Sequence, residues 1–154
     1  MKLKQLVKII EQICLTMPNV RTFICGDVYE LNSLLESEYS AMVLSQNTHT
    51  VDLEEGVENF SFHLFYVDRL TSDDSNRLDI QSEGNDALIT VLGKLDELGI
   101  VSRNLSINTF KERFSSSCSG AFASFNITLD INDCLDDIPS DIEDKINKII
   151  EGEC

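Results

Sequence analysis

The amino-acid sequence predicts one α+β domain: a mainly antiparallel sheet of about four strands, packed by helices on one face. Apolar residues recur at helical spacing in three separated stretches, near both ends and in the middle of the chain. Two other stretches, Phe60 to Asp68 and Ala121 to Ile131, alternate with the period of two expected of half-buried strands. The predicted order is helix, short helix, two strands, helix, two strands, helix, with no internal repeat and no low-complexity linker. That order lacks the regular strand–helix alternation of a parallel sheet.

Leu3, Leu6, Val7, Ile10, Ile13, Cys14 and Met17 make one apolar stripe that Pro18 ends, while Lys4, Lys8 and Glu11 occupy the opposite side. After the short apolar stretch Thr22 to Cys25, Asp27 and Glu30 stand at capping-box spacing ahead of Val28, Leu31, Leu34 and Leu35, so a second, short helix is expected there. Tyr39 to Leu44 reads as a strand and the polar, acidic stretch Ser45 to Asn59 as a long exposed loop. Phe60, Phe62, Leu64 and Tyr66 share one face of the next strand. Beyond the turn Thr71 to Asn76, Leu78, Ala87, Leu88, Val91, Leu92, Leu95 and Leu98 trace a central helix, with Gly84 as a candidate break and Gly99 as its stop. Leu105, Ile107 and Thr109 alternate in one strand. Ala121, Ala123, Phe125, Ile127, Leu129 and Ile131 alternate in the other, making an antiparallel pair across a polar connection. Pro139 to Glu143 supplies a helix start, and Ile142, Ile146, Ile149 and Ile150 give that helix one apolar side. Residues 1–138 are thus expected to form the body of the domain and residues 139–154 an acidic C-terminal helix or tail of it.

Twelve basic residues against twenty-seven acidic ones give a net charge of −15 over 154 residues. Duplex binding relies on Lys and Arg displacing counterions from phosphates, so the composition argues against phosphate recognition. With 42% hydrophobic and 25% charged residues, the chain reads as globular rather than as a disordered polyacid. No apolar run approaches the ~20 residues of a membrane span. The N-terminus has no continuous apolar segment followed by a cleavage site, so a soluble protein is expected. The cysteines, at 14, 25, 118, 134 and 154, are odd in number and form no Cys-x-x-Cys pair, which fits neither a disulfide framework nor a zinc ribbon. They read as thiols of a reduced compartment, with Cys14 in the core.

Chemistry is sparse. Neither His49 nor His63 has a ligand-spaced partner, and His63 reads as a sheet histidine with its hydrogen bonds satisfied. A nucleophilic thiol would have to be Cys25 or Cys118, each beside a glycine-containing turn, and neither carries a hydrolase signature. The carboxylates from Asp130 to Asp144 fail the calcium-loop template, because Cys134 and Leu135 stand where a ligand and the turn glycine belong. The glycines make neither a dinucleotide fingerprint nor a phosphate loop. No catalytic, cofactor or metal residue is therefore assigned, and a non-enzymatic role is expected.

An aromatic strand running into Tyr66-Val67-Asp68-Arg69-Leu70, a polar turn with Asn76, a central helix, Phe110 to Phe114, and Cys118-Ser-Gly120-Ala121 opening an alternating strand follow in that order. This order resembles small head–tail joining proteins of tailed bacteriophages, the tail-terminator or tail-completion fold, and in particular ring proteins of phages of gut Bacteroidales. The resemblance covers most of the chain and rests on the order of elements; it brings no catalytic signature. It implies a homo-oligomeric ring, sixfold or in some short-tailed phages twelvefold, in the virion neck or tail. There the ring would contact portal, adaptor or tail-tube proteins and let DNA pass, after synthesis in the host bacterial cytoplasm.

Charge supports such a ring independently, because an acidic channel lining repels phosphate and prevents adhesion. Subunits at −15 also repel each other, so neighbours need complementary patches, and head-to-tail contacts are the kind that close rings. Lys2, Lys4 and Lys8 form a candidate basic patch. Its expected acceptors are Glu54, Glu55 and Glu58, or the Asp133 to Asp144 segment, of the next subunit; merely solvated faces are the competing reading. Two other functions compete: a small acidic secretion-chaperone-like adaptor holding an extended partner segment as a dimer, and a thiol enzyme.

Overall fold

The computed structural model describes residues 1–101, 105–111, 117–131 and 140–152. The Arg113–Phe114 part of the resemblance, Cys134, Cys154, Pro139 and the 133–139 part of the acidic segment lie outside the described residues.

Helix α1 (Leu3–Leu15) forms where the predicted stripe lies and buries Leu6, Ile9, Ile10, Ile13 and Cys14. Each large apolar side chain removed from water there contributes about 1.5–3 kcal/mol before the entropy of ordering is counted. Helix α2 (Arg77–Glu97) turns Ile80, Leu88, Val91, Leu92 and Leu95 inward. Helix α3 (Ser140–Glu151) is anchored by Ile146, with Ile142 and Ile149 half-buried and Ile150 at the solvent edge. All three helices bury their stripes in one core, against the sheet face that carries Phe60, Phe62, Leu64, Tyr66, Ala121, Ala123, Phe125, Ile127 and Leu129. The C-terminal helix thus shares the main core of the single domain.

The sheet has five strands in the order β1-β2-β3-β5-β4, where β1 is Thr22–Cys25, β2 Ala41–Asp52, β3 Val57–Arg69, β4 Ser106–Lys111 and β5 Cys118–Asp130. The single α+β domain with a mainly antiparallel sheet is as expected, and two features refine the expectation of about four strands. Thr22 to Cys25 is a strand, too short at four residues to show a period, and it pairs parallel with Ala41 to Leu44. The stretch Ser45 to Asn59 is no loop: β2 continues to Asp52, turns through Gly56 at a φ of 69°, and returns as β3. Its polar residues are strand residues because this part of β2 is exposed and β3 supplies the ladder; Thr48 and Thr50 suit a strand, while Asn47 falls at the register shift.

The short helix predicted after Asp27 is a 3-10 turn, Val28–Ser33, with Asp27 Oδ1 accepting from the Tyr29 amide at 3.0 Å. Only Leu31 of its apolar residues is fully buried, and Leu35 is 68% exposed. This segment links β1 to β2 across the sheet face opposite the helices, where Leu31 and Tyr39 join Ala41, Val43, Phe65, Val67, Phe110 and Cys118 in a second, smaller core. Gly84 does not break α2. It is buried there, and a Cβ would lie 2.9 Å from Tyr66 Cδ1, so the absent side chain lets helix and sheet approach. Leu78, placed on the core stripe by its spacing, is 70% exposed at the start of α2. Gly99 ends the helix region at a φ of 70°, as predicted.

Candidate functional site

The first candidate region is the far half of the sheet. β1 pairs only with Ala41 to Leu44, and the Gly26 amide adds one bond to the Leu44 carbonyl. Beyond that point the outer edge of β2 has no neighbouring strand among the described residues. β2, β3 and β5 run on together as a three-stranded arm, with Asp52 opposite Val57 and Val57 opposite Asp130. A register shift between Gln46 and Thr48 places a bulge at Asn47, after which Thr48 to Asp52 pair regularly with Ser61 to Val57.

The two faces of this arm differ. On the helix side Phe60, Phe62 and Phe125 stack in series at centroid separations of 6.1 and 5.8 Å, and His49 lies flat on Phe60 at 4.4 Å. The other face carries Thr48, Thr50, Asn59, Ser61, Ser124, Asn126 and Thr128, with Asp52 and Asp130 at its tip end. Thr128 Oγ1 donates to Asn59 Oδ1 at 2.6 Å across the strands. At the tip, Leu53 is 84% exposed. The Glu54 and Glu55 amides donate to Asp52 Oδ1 at 2.9 and 3.0 Å, which holds the turn.

The candidate interface residues fall in two places. Lys2 caps α1, its amide donating to Gln5 Oε1 at 2.7 Å, and Lys4 and Lys8 are exposed one turn apart on that helix. Glu54 and Glu55 sit in the arm's turn, and Glu58 on β3 has its Oε1 3.6 Å from His49 Nε2. Among the described residues no ion pair within the chain joins Lys4 or Lys8 to these glutamates.

Sequence reading missed a second cluster, at the other end of the sheet, because its members are scattered from position 17 to 90 and meet only through topology. Two adjoining cavities of about 240 and about 220 Å³ share Pro18, Asn19 and Glu83. Met17, Val20, Ala87 and Tyr66 line the first; Arg21, Tyr39, Ser40 and Asp68 line the second. The Tyr66 hydroxyl donates to Glu83 Oε2 at 3.3 Å, and burial pushes its pKa up to about 12. Burial also raises the Asp68 pKa and the Glu83 charge adds to this, against the Arg69 amide, which donates at 2.7 Å, and the Arg21 charge. Arg69 lies over the Tyr39 ring, 5.5 Å from its centroid. Neither cavity is lined by a cysteine or histidine; the carboxylates of Asp68 and Glu83 beside the Tyr66 hydroxyl are groups that can hold a polar or cationic group.

The residues screened for chemistry behave as structural groups. His63 Nδ1 is 2.8 Å from Ser124 Oγ, and the ring packs between Phe65 and Phe122, as expected of a satisfied sheet histidine. Cys14 and Cys118 are buried, and burial holds the Cys14 thiol far above its ordinary range. Cys25 is exposed, yet partial burial, then the Glu11 and Glu30 charges, raise its pKa too. That is opposite to what an activated thiolate needs. Among the described residues no three His, Cys, Asp or Glu side chains converge as a metal site, and no helix is long and apolar enough to cross a membrane. The chain matches no protein-family model and no curated protein.

Proposed function

We propose that the chain is a structural subunit of a tailed-bacteriophage virion, forming a homo-oligomeric ring in the neck or tail that joins portal or adaptor to the tail and leaves a passage for DNA. The observation that carries this reading is the arm. It is a three-stranded extension with an outer edge open among the described residues, a Ser/Thr/Asn face that is acidic only at Asp52 and Asp130 near its tip, and an exposed leucine at that tip, on a molecule of net charge −15. Like charge repels two copies over most of their surface, and a seam of neutral residues lets them approach. The Lys2, Lys4 and Lys8 patch docking on Glu54, Glu55 and Glu58 of the neighbour gives a second, attractive contact between opposite charges. The overall negative charge also keeps DNA from adhering as it slides past.

The same open edge favours one competitor, an acidic adaptor that adds an extended partner segment to its sheet. Solution mass across a concentration series separates the two. A ring gives a single high stoichiometry, six or twelve, whereas the adaptor gives a dimer. Reversing Lys2, Lys4 and Lys8 to Glu is expected to abolish assembly while leaving the thermal unfolding of the protomer unchanged; rings at normal yield would remove the lysine contact from the proposal.

A further inference from the structure

We infer that the seam between subunits is a strand pairing in which the outer edge of β2, Thr48 to Asp52, takes up the β4 edge, Ser106 to Thr109, of the adjoining copy. This rests on the ring reading and names the surface that would close it.

Three features of the sheet lead to this pairing. Direction comes first: β2 is antiparallel to β3, β3 to β5 and β5 to β4, so β4 runs antiparallel to β2. A copy placed beside the arm in the same orientation therefore offers its terminal strand antiparallel, as a short paired edge requires. Charge comes second. Ser106 to Thr109 carries no ionisable side chain, and Thr48 to Asp52 carries only Asp52 and His49, so the seam sets no like charges opposite each other in a molecule at −15.

Stagger comes third. The centre of the β2 edge, Thr50, is level with Asn59 on β3 and Thr128 on β5. The β4 segment is level with Ser124 to Ala121, centred about 5.5 residues back along β5. At ~3.3 Å per residue the two edges are offset by about 18 Å along the strands, over a repeat of four strands about 19 Å wide. Joining them tilts the strands by about 43° to the ring axis, inside the ~35–45° range at which sheets close on themselves. The edges of the sheet thus have the offset a closed ring of sheets needs. The bulge at Asn47 fits this, because it sets the start of the regular edge one residue short of Thr48 and limits the seam to about the length β4 can match.

The test uses the full chain with Cys25→Ser, Cys134→Ser and Cys154→Ser, carrying Thr50→Cys and Asn108→Cys, both on the sheet face opposite the helices. Copper-phenanthroline oxidation is followed by a non-reducing denaturing gel, and the unoxidised protein is weighed in parallel. The expected result is a disulfide ladder from dimer upward to the stoichiometry found by mass, with each single-cysteine variant remaining monomeric on the gel. Thr48→Cys with Asn108→Cys covers a pairing slipped by two residues. Rings by mass with no ladder from either pair would overturn the seam and leave the ring standing. Covalent dimers from Thr50→Cys alone would show that β2 pairs with itself about a two-fold axis, which also overturns it. A lone protomer at every concentration would overturn both readings and leave the edge to an extended segment of another polypeptide.

Discussion

Replacing Gly120 by alanine should strongly destabilise the fold. Gly120 is buried on β5 opposite Val67, and a Cβ added there would sit 1.8 Å from the Tyr66 carbonyl oxygen and 2.9 Å from its carbonyl carbon. Both are backbone atoms of β3, so no side-chain rotation relieves the clash, and Phe110 Cζ at 3.1 Å blocks escape on that side. Reaching an ordinary contact of 3.4 Å means opening β3 from β5 by about 1.6 Å locally, against a normal spacing of about 4.8 Å. Overpacking costs about 1–3 kcal/mol, and the two or so ladder hydrogen bonds lost with it about 0.5–1.5 kcal/mol each, giving a total of about 2–6 kcal/mol. With a urea m-value near 2 kcal/mol/M, the midpoint should fall by roughly 1–3 M, read by circular dichroism at fixed protein concentration. Gly93→Ala is the control. It is exposed in α2 with nothing within 4 Å of the added atom, so it should gain about 0.5–1 kcal/mol from helix propensity alone. A Gly120→Ala midpoint within about 0.3 M of the parent would refute the close approach of β3 and β5 on which the whole sheet register depends.

Gly84→Ala should cost about 1–2 kcal/mol, because a Cβ 2.9 Å from Tyr66 Cδ1 and 3.3 Å from Ala121 Cβ outweighs the helix-propensity gain; a rise in midpoint would contradict the packing of α2 on β3. Asp68 has a raised folded pKa, so its ionisation opposes folding: stability falls as pH rises through that pKa, and the penalty is full above it. Asp68→Asn keeps an acceptor for the Arg69 amide and should be more stable than the parent at pH 7. The gain should vanish below the ordinary carboxylate value of 3.8, as pH-dependent urea melts would show; equal stability at pH 7 would count against the buried carboxylate. Iodoacetamide should modify Cys25 slowly at neutral pH and leave Cys14 and Cys118 protected until the protein unfolds, whereas a hypersensitive cysteine would revive the enzyme reading. Raising salt from about 0.1 to 1 M shortens the screening length from about 10 to 3 Å, so a neutral seam between acidic subunits should strengthen. Weakening assembly would shift the weight to the lysine contact.

Periodicity made the helices and the long strands legible. Leu6, Ile10, Ile13 and Cys14, or Phe60, Phe62, Leu64 and Tyr66, each repeat often enough to define a face. It failed where tertiary context decides. Thr22 to Cys25 has four residues and gains its strand from pairing with Ala41 to Leu44. Gln46 to Asp52 is polar on both faces, so its sequence says loop while the ladder to β3 makes it a strand. Gly84 reads as a breaker because glycine is a poor helix former, yet it is kept inside α2 by the ring of Tyr66 packed against it. The lysines and glutamates proposed for the interface were visible as charges, but the open β2 edge near the glutamates emerged only from the strand order. The Tyr66–Glu83–Asp68 cluster left no sequence signal at all, since β3 and α2 bring together residues with no shared spacing.

Electron cryo-microscopy of the virion in which the chain is proposed to sit tests that assembly most directly. The expected result is a closed collar of one fixed subunit number between head and tail, its sheets continuous from copy to copy. A particle that lacks the chain, or holds it as isolated protomers, would contradict the proposal.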